Sequence, residues 1–215
     1  MNSRPAALSK NKEGEGNRRN MGEKSAQKKQ YILNTARAVF VEKGFKNVTM
    51  KDIVEACEIS RGGLYLYFDS TEQILMEILQ MEAQETDDVF TDHISEEDTA
   101  ADILTLFLKE QKKELLQKKN NLTVAVYEYF FAHKSTDKNN MLHKQFDAGV
   151  RVLEKLIQAG IASGEFYCED PRGAATNIMY VLEGMKINAQ TFGITEKMVD
   201  EQLLYIMQGL FVEFE

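Results

Sequence analysis

Apolar side chains recur at helical spacing along almost the whole chain from residue 31 onward. In YILNTARAVFVEKGF, the side chains of Ile32, Ala36 and Phe40 share one face, and Gly44 stands where such a helix would end. Stretches with the same period begin near residues 49, 60, 70, 101, 121, 141, 172 and 196. The chain has two prolines and no run of alternating β-branched residues of the kind that forms strands. The pattern therefore predicts an all-α protein of about nine helices.

Three segments differ in composition. Residues 1–27 have almost no large apolar side chains and are rich in Asn, Gly, Lys and Arg, which predicts a disordered basic tail. Residues 28–72 contain three short helices and residues 73–215 contain longer ones, so we expect a small N-terminal unit and a larger C-terminal one. The native start is open between Met1 and Met21. The codons for the Arg-Arg-Asn before Met21 can themselves form a purine-rich ribosome-binding sequence.

Charge is distributed unevenly along the chain. The 215 residues carry a formal net charge of −8, but residues 1–30 hold eight Lys and Arg against three Asp and Glu. A basic start on an acidic body is typical of a protein whose one end faces nucleic acid. No apolar run approaches the roughly 18 residues that span a bilayer, and the N-terminus lacks the apolar core of a secretory signal. Cys57 and Cys168 match no metal-binding spacing, so we expect a cytoplasmic protein with no membrane contact, metal or other cofactor.

The stretch SRGGLYLYF, residues 60–68, departs from ordinary helix composition. Each glycine costs about 1 kcal/mol relative to alanine inside a helix, and such departures are expected at functional sites. Before it, Thr49 and Asp52 stand in the positions of a capping box, and Ser60 stands where a second helix would be capped. Two short helices joined by a three-residue link predict a helix-turn-helix, whose second helix lies in the DNA major groove.

The helical period assigns a direction to each side chain of this second helix. At 100° per residue, Leu64 and Phe68 point into the small core, whereas Leu66 points away from it towards the groove floor. Tyr65 and Tyr67 fall on the two flanks, where their hydroxyl groups can reach phosphates. Glycine at 62 and 63 lets the backbone approach DNA closely, and Arg61 can reach a phosphate or a guanine edge. Corners of similar shape also occur in proteins that bind no DNA, so spacing alone leaves both readings open.

The residues GFKNVTMKDIVEACEISRGGLYLYFDSTEQIL resemble the DNA-binding region of the tetracycline-repressor (TetR) family of bacterial regulators. The shared pattern is G-F-x-x-x-T-x-x-D-I followed by S-R-G-x-L-Y-x-Y-F, and it runs from about residue 31 to residue 79. The resemblance implies a three-helix DNA-binding domain at 28–72 and an effector-binding and dimerisation domain at 73–215. It implies a cytoplasmic, nucleoid-associated homodimer on a palindromic double-stranded operator, usually a repressor, that a small ligand releases from DNA. It implies no enzymatic activity.

Carried over to this sequence, the family pattern assigns phosphate contacts to residues at the helix starts and DNA contacts to the recognition helix. The implied set is Thr49, Lys51, Ser60, Arg61, Gly62, Gly63, Tyr65, Leu66, Tyr67 and Thr71. Three positions depart from the usual pattern. Glu58 replaces a turn glycine, Gly63 replaces a threonine or serine, and Thr71 replaces a lysine that grips the phosphate backbone. The operator sequence, the regulated genes and the choice between repression and activation stay open.

The last two predicted helices carry more apolar surface than one neighbour would cover. On the final helix two apolar rows run side by side, so one row can pack on the protein's own body while the other needs a partner. We therefore predict a two-fold four-helix interface. Its predicted residues are Ile178, Val181, Leu182, Met185, Leu203, Met207, Leu210, Phe211 and Phe214.

Aromatic and methionine side chains are frequent in the middle of the larger unit. For each one taken alone, packing in the core is the better interpretation, but together they could line a cavity for an apolar or aromatic effector. The candidates are Phe107, Tyr127, Phe130, Phe131, Phe146, Met179 and Met185. Glu128 and Glu183 lie within apolar runs, where either a cationic ligand or an internal hydrogen bond would account for them.

Two other classes of function make different demands on the sequence. A di-iron carboxylate enzyme needs Glu-x-x-His pairs, and none of His93, His133 and His143 stands three residues after a glutamate. The chain also has no phosphate-binding loop, nucleophile elbow or Cys/His cluster, so we predict no catalytic residues. An adaptor bound by protein alone is the other alternative, and a gel-shift assay with operator DNA separates it from a regulator.

Overall fold

The computed structural model describes residues 10–92, 97–117, 121–133 and 140–211, and the described ranges contain nine α-helices and no strand. The predicted fold class is therefore confirmed. The helices are α1 (Lys10–Lys43), α2 (Met50–Ala56), α3 (Arg61–Tyr65), α4 (Thr71–Asp92), α5 (Ala100–Leu116), α6 (Thr123–Ala132), α7 (Met141–Ser163), α8 (Pro171–Thr191) and α9 (Glu196–Phe211). None of the helices in these ranges is long and apolar enough to cross a membrane.

A first core joins the three short helices to parts of the longer ones. Phe40 of α1, Ile53 of α2 and Leu64 of α3 are fully buried in it. The first half of α4 contributes four buried side chains, and α6 adds Ala125. The small unit therefore packs as one body with the start of α4 and one face of α6, beyond the limit of 28–72 that the sequence indicates.

A second core lies among α5, α7, α8 and α9. Leu104, Leu153, Leu182 and Val199 are buried in it, one from each helix. Two glycine positions shape the end of α7. A Cβ atom on Gly160 would collide with the ring of Phe166, and Gly164 ends the helix with a left-handed φ of 80°. A glycine is the usual residue at such a left-handed helix end.

Most helix starts follow the capping residues that the sequence indicates. Thr49 and Asp52 form the predicted capping box of α2, and Ser60 accepts a hydrogen bond from the Gly63 N–H at the start of α3. Asp170 caps α8 with a proline at the first helical position. These local signals are short-range and chemically specific, so tertiary packing does not override them.

Helix α1 begins much earlier than the sequence predicts. Residues 10–27 are helical rather than disordered. The physical reason is that residues 32–40 pack in the core and nucleate the helix, after which Lys, Glu, Gln and Ala extend it at little cost. The described side chains from Gly22 to Lys28 are exposed, so this part of the helix runs out beyond the core.

The turn between α2 and α3 contains a residue in a left-handed conformation. Glu58 has φ of 51°, a region that favours glycine. We expect Glu58→Gly to raise the free energy of unfolding by about 0.5–1 kcal/mol, because relief of backbone strain exceeds the added entropy of the unfolded chain. Glu55→Gly, inside α2, is the control and should lower the same quantity by about 1 kcal/mol. Urea denaturation measures both, and a destabilising Glu58→Gly would contradict the assigned strain.

Candidate nucleic-acid interface

Helix α3 is held against the first core by two apolar anchors. Leu64 and Phe68 are buried, as the helical period predicts. The helix itself spans only five residues, and it continues into a tight turn in which the N–H groups of Tyr67 and Phe68 both donate to the Leu64 carbonyl. The turn fixes where the side chains after Tyr65 point, so a short helix presents a longer, ordered surface.

The opposite side of this segment is open to solvent. Leu66 is 82 % exposed, which is unusual for a leucine on an ordered element. Gly62 is also exposed, and no protein atom lies within 4 Å of the position that a Cβ atom would occupy there. Neither residue is explained by packing within the protein.

The two flanking tyrosines lie in different surroundings. Tyr65 is 40 % exposed, and the guanidinium of Arg61 lies 5.5 Å from the centre of its ring. This cation–π contact holds Arg61 over the outer surface of the helix. Tyr67 is half-buried against the first core, and its hydroxyl accepts a hydrogen bond from Ser25 of α1 at 3.5 Å. The early part of α1 therefore lies beside the end of the recognition segment.

The predicted phosphate contact of Thr49 needs correction in this conformation. Its hydroxyl donates its one proton to the Asp52 carboxylate, and its backbone N–H also donates to Asp52, at 2.8 Å. A phosphate oxygen can only accept, so Thr49 has no side-chain donor left for it. Lys43 pairs with Asp52 at 2.6 Å, and this hydrogen bond, followed by those from Thr49, holds the pKa of Asp52 well below its usual range.

The other residues predicted to contact DNA at the helix starts differ in whether they have a donor free for a phosphate. The side chain of Lys51 is well exposed and makes only a long contact of 3.6 Å with Glu55, so it can turn towards a phosphate. The N–H of Gly63 donates to the Ser60 hydroxyl at 3.1 Å, so it is not a free donor for a phosphate. Thr71 opens α4 and is half-buried.

Comparison with known proteins assigns these features to a family. Residues 32–78 match the family model described as bacterial regulatory proteins of the tetR family, and residues 103–200 match a tetracyclin repressor-like C-terminal domain. The chain is also 34 % identical over 141 residues to the uncharacterized HTH-type transcriptional regulator YfiR of Bacillus subtilis, covering 65 % of this chain and 68 % of that protein. The chain belongs to the TetR family. It is accordingly a DNA-binding transcriptional regulator of the helix-turn-helix type.

Two further similarities are more limited in what they show. The HTH-type regulator UidR of Escherichia coli strain K12 is 46 % identical over 48 residues, which are 22 % of this chain and 24 % of UidR. A transcriptional regulator from Saccharomonospora viridis, solved in complex with choline, superposes with a TM-score of 0.74 at 18 % identity, covering 87 % of this chain and all of that one. At this identity the superposition shows the fold alone.

The predicted dimer residues of this TetR-family protein differ in how deeply the protomer buries them. Ile178, Leu182, Met185 and Leu210 are buried in the protomer's own second core. Because those side chains already pack internally, they cannot form the face of a second chain, and they leave the predicted interface. Val181, Leu203 and Met207 are partly buried against the same core, whereas Phe211 is exposed. Phe214 lies outside the described residues.

Exposed apolar side chains outside the list of predicted interface residues lie on the outer faces of α8 and α9. Tyr180 and Ile187 are two turns apart on α8, with Gly184 between them. Leu204 is 55 % exposed and Tyr205 is 66 % exposed on α9, followed by Gly209. No protein atom lies within 4 Å of a Cβ position on either glycine. We call the exposed side chains Tyr180, Ile187, Leu204, Tyr205 and Phe211 together the α8–α9 face.

The predicted effector residues do not surround one cavity. Phe130 packs on the first core, and Phe107, Phe146 and Met179 pack on the second, in which Met185 is buried. Tyr127 and Phe131 stack on each other along α6, at 5.8 Å between ring centres. A concavity of about 420 Å³ lies elsewhere, open to solvent at the start of α8, and is lined by Asp170, Arg172, Gly173, Thr176, Asn177 and Tyr180.

Both acidic residues within apolar runs are hydrogen-bonded. Glu128 of α6 accepts the Lys46 N–H at 3.0 Å and lies against Gly44, where a Cβ atom would collide with its carboxylate. Glu183 of α8 accepts the Tyr127 hydroxyl at 2.5 Å. Helix α6 is therefore connected on one side to the loop before α2 and on the other side to α8. Within the described residues, no group of three or more His, Cys, Asp or Glu is placed to hold a metal ion.

Proposed function

We propose that this TetR-family protein is a cytoplasmic, ligand-responsive repressor that binds a palindromic operator as a homodimer. The observation that carries the proposal is the exposed row of the recognition segment. Leu64 and Phe68 anchor it, while Leu66 and Gly62 face solvent with no partner in the protein. An apolar side chain and a bare backbone in one row suit the floor of a major groove, where leucine meets thymine methyl groups.

The proposed contacts with DNA are of two kinds, those to phosphates and those to bases. Tyr65 and Lys51 supply hydroxyl and ammonium donors at the flanks, which fix the position of the protein on the phosphate backbone. Arg61 starts above the ring of Tyr65 and reaches a phosphate or a guanine edge. Leu66 reads bases. Pairing through the α8–α9 face would set two recognition helices about 34–36 Å apart, one turn of DNA.

Release from DNA by an effector requires a mechanical link, and α6 is the element best placed to provide it. Its Glu128 holds the backbone before α2, and its Tyr127 is bonded to α8. A ligand that shifts α6 relative to α8 would move the loop before α2 and change the separation of the recognition helices. The ligand acts by its differential affinity for the two arrangements.

The effector is a small organic molecule that contacts aromatic side chains. Two arguments support this class. Aromatic rings are concentrated on α6, and a regulator of the same fold from Saccharomonospora viridis was solved with choline. The concavity at the start of α8 has no lining residue from α6, so we do not assign it to the effector.

Selection of duplexes from a random-sequence library tests the function directly. We expect recovery of a palindrome whose half-sites are centred about one helical turn apart. Against that operator, Tyr65→Ala should weaken binding to specific and to non-specific DNA by a similar factor of about 5–10, because phosphate contacts carry little sequence information. Leu66→Ala should instead lower the ratio of specific to non-specific affinity by about ten-fold.

Fluorescence anisotropy with labelled duplexes measures both variants. Val152→Ala, at an exposed position of α7 outside both the recognition segment and the α8–α9 face, is the control and should bind as the unmodified protein does. Failure to enrich any duplex would exclude a DNA-binding function and favour an adaptor bound by protein alone. Full operator affinity in both Tyr65→Ala and Leu66→Ala would assign DNA contacts to another surface.

A further inference from the structure

Helix α6 exposes apolar side chains that its sequence would place in a core. The stretch is apolar all round, which predicts burial on most sides. Phe131 is nevertheless 64 % exposed, and Val124 is exposed two turns before it. Together with Tyr127 they form one row, at spacing i, i+3, i+7, on the side of α6 that meets α8.

The facing part of α8 places one carboxylate against this row, at Tyr127. The Oε2 atom of Glu183 lies 2.5 Å from the Tyr127 hydroxyl. We call Val124, Tyr127, Phe131 and Glu183 the Glu183 site.

A structural ion pair alone does not account for this arrangement. The Oε1 atom of Glu183 lies 3.2 Å from the ammonium of Lys186, a contact within one helix that needs neither α6 nor an aromatic ring. The Tyr127 phenol stays protonated and donates this hydrogen bond, because burial and the Glu183 carboxylate both raise the pKa of Tyr127. One oxygen of Glu183 thus accepts the hydrogen bond of the Tyr127 phenol, and the other lies beside the Lys186 ammonium.

We propose that the Glu183 site binds a small organic cation, a quaternary or substituted ammonium, as the effector of this regulator. The carboxylate supplies the counter-charge, and the faces of Phe131 and Tyr127 meet the alkyl groups around the charged nitrogen. The ammonium of Lys186 occupies the cation position in the free protein and swings to solvent when the ligand enters. The acidic body attracts such a cation from solution, because residues 81–215 carry most of the negative charge of the chain.

The inference rests on the proposed function for its regulatory meaning, since a cation at this site acts on α6 between Tyr127 and Glu128. Binding of the cation draws Glu183 away from Lys186 and strains its hydrogen bond with Tyr127. The expected consequence is weaker DNA binding by the occupied protein. The location of the site and the chemistry of the ligand follow from the Glu183 geometry without that link.

Titration calorimetry with benzyltrimethylammonium chloride tests the site on the full chain. We expect saturable binding, and at least about ten-fold weaker binding of benzyl alcohol, which keeps the ring and lacks the charge. Glu183→Gln, which retains a partner for Tyr127, should weaken cation binding at least about ten-fold. Lys186→Met removes the internal competitor and should strengthen it about three- to ten-fold. Glu154→Gln, which removes a carboxylate paired with Arg172 on another face, should change nothing.

The outcomes separate this inference from the proposed function. Thermal melting of each variant verifies that it is folded. Equal binding of the neutral compound, unchanged affinity in Glu183→Gln, or weaker affinity in Lys186→Met would overturn the cation site, even if the free protein binds its operator. Cation binding with the expected pattern in a protein that binds no DNA would keep the site and refute the repressor. A cation that binds as expected and lowers operator affinity about ten-fold or more supports both.

Discussion

Leu204→Glu is expected to convert the protein from a dimer to a monomer and to lower its affinity for the selected operator at least about a thousand-fold. Leu204 is exposed beside Tyr205 on α9, so a glutamate there leaves the fold of one chain intact. In a two-fold interface the substitution appears twice, which brings two carboxylates together as they lose water. A monomer then reads only one half-site, and the recognition helix itself is unchanged.

Light scattering at micromolar concentration measures the mass, and anisotropy with labelled operator measures the affinity. Val152→Glu is the matched control, because Val152 is an exposed apolar residue on α7, away from the α8–α9 face. It should leave both the dimer and operator binding unchanged. A Leu204→Glu protein that keeps the mass of two chains would place the interface elsewhere. A monomeric one with full operator affinity would show that DNA binding does not depend on dimerisation.

The sequence alone could not identify Leu204 as an exposed residue of the proposed interface. Helical spacing on α9 produces two adjacent apolar rows, one through Leu210 and one through Leu204. Periodicity alone does not say which row meets α5 and α8 of the same chain. The structure buries Leu210 and leaves Leu204 exposed. Leu210→Glu would therefore bury an unpaired carboxylate and unfold the protomer, so its loss of operator binding would carry no information about the dimer.

More of the helix-turn-helix than of the dimer interface could be predicted from the sequence, because the signals of the helix-turn-helix are local. The Thr49–Asp52 capping box, the Ser60 cap and the buried pair Leu64 and Phe68 all depend on spacing within a few residues. The same locality explains the errors there. A sequence pattern shows that Thr49 can cap a helix and can bind phosphate, but the hydroxyl has one proton and the structure gives it to Asp52.

Effector residues were the least predictable part, because aromatic side chains on one short helix divide between different environments. Phe130 faces the first core, and its neighbour Phe131 faces solvent. Only the arrangement of α6 between α1 and α8 decides this, and no period in the sequence encodes it. The one signal that was available is the pair of glutamates in apolar runs. Glu128 and Glu183 mark the two sides by which α6 is held.

Gly62→Ala is expected to change stability and DNA binding in opposite directions. No protein atom lies within 4 Å of the added methyl group, so it meets no steric resistance inside the protein. Alanine is the better helix former, and we expect the free energy of unfolding to rise by about 0.5–1 kcal/mol. In the proposed complex with DNA, however, the same methyl group lies between the backbone of α3 and the groove. We expect it to weaken operator binding by about ten- to a hundred-fold.

Glu58→Gly provides the control for this last result. It should stabilise the same unit by a similar amount while leaving the exposed row of the recognition segment unchanged, so operator affinity should stay within about two-fold. Urea denaturation and anisotropy on the two variants give four measurements. If Glu58→Gly also weakened binding, the added stability of this unit rather than the methyl group would explain the loss. If Gly62→Ala bound the operator as tightly as the unmodified protein, the backbone at Gly62 would not approach DNA, and the role of the glycine in the recognition helix would have to be given up.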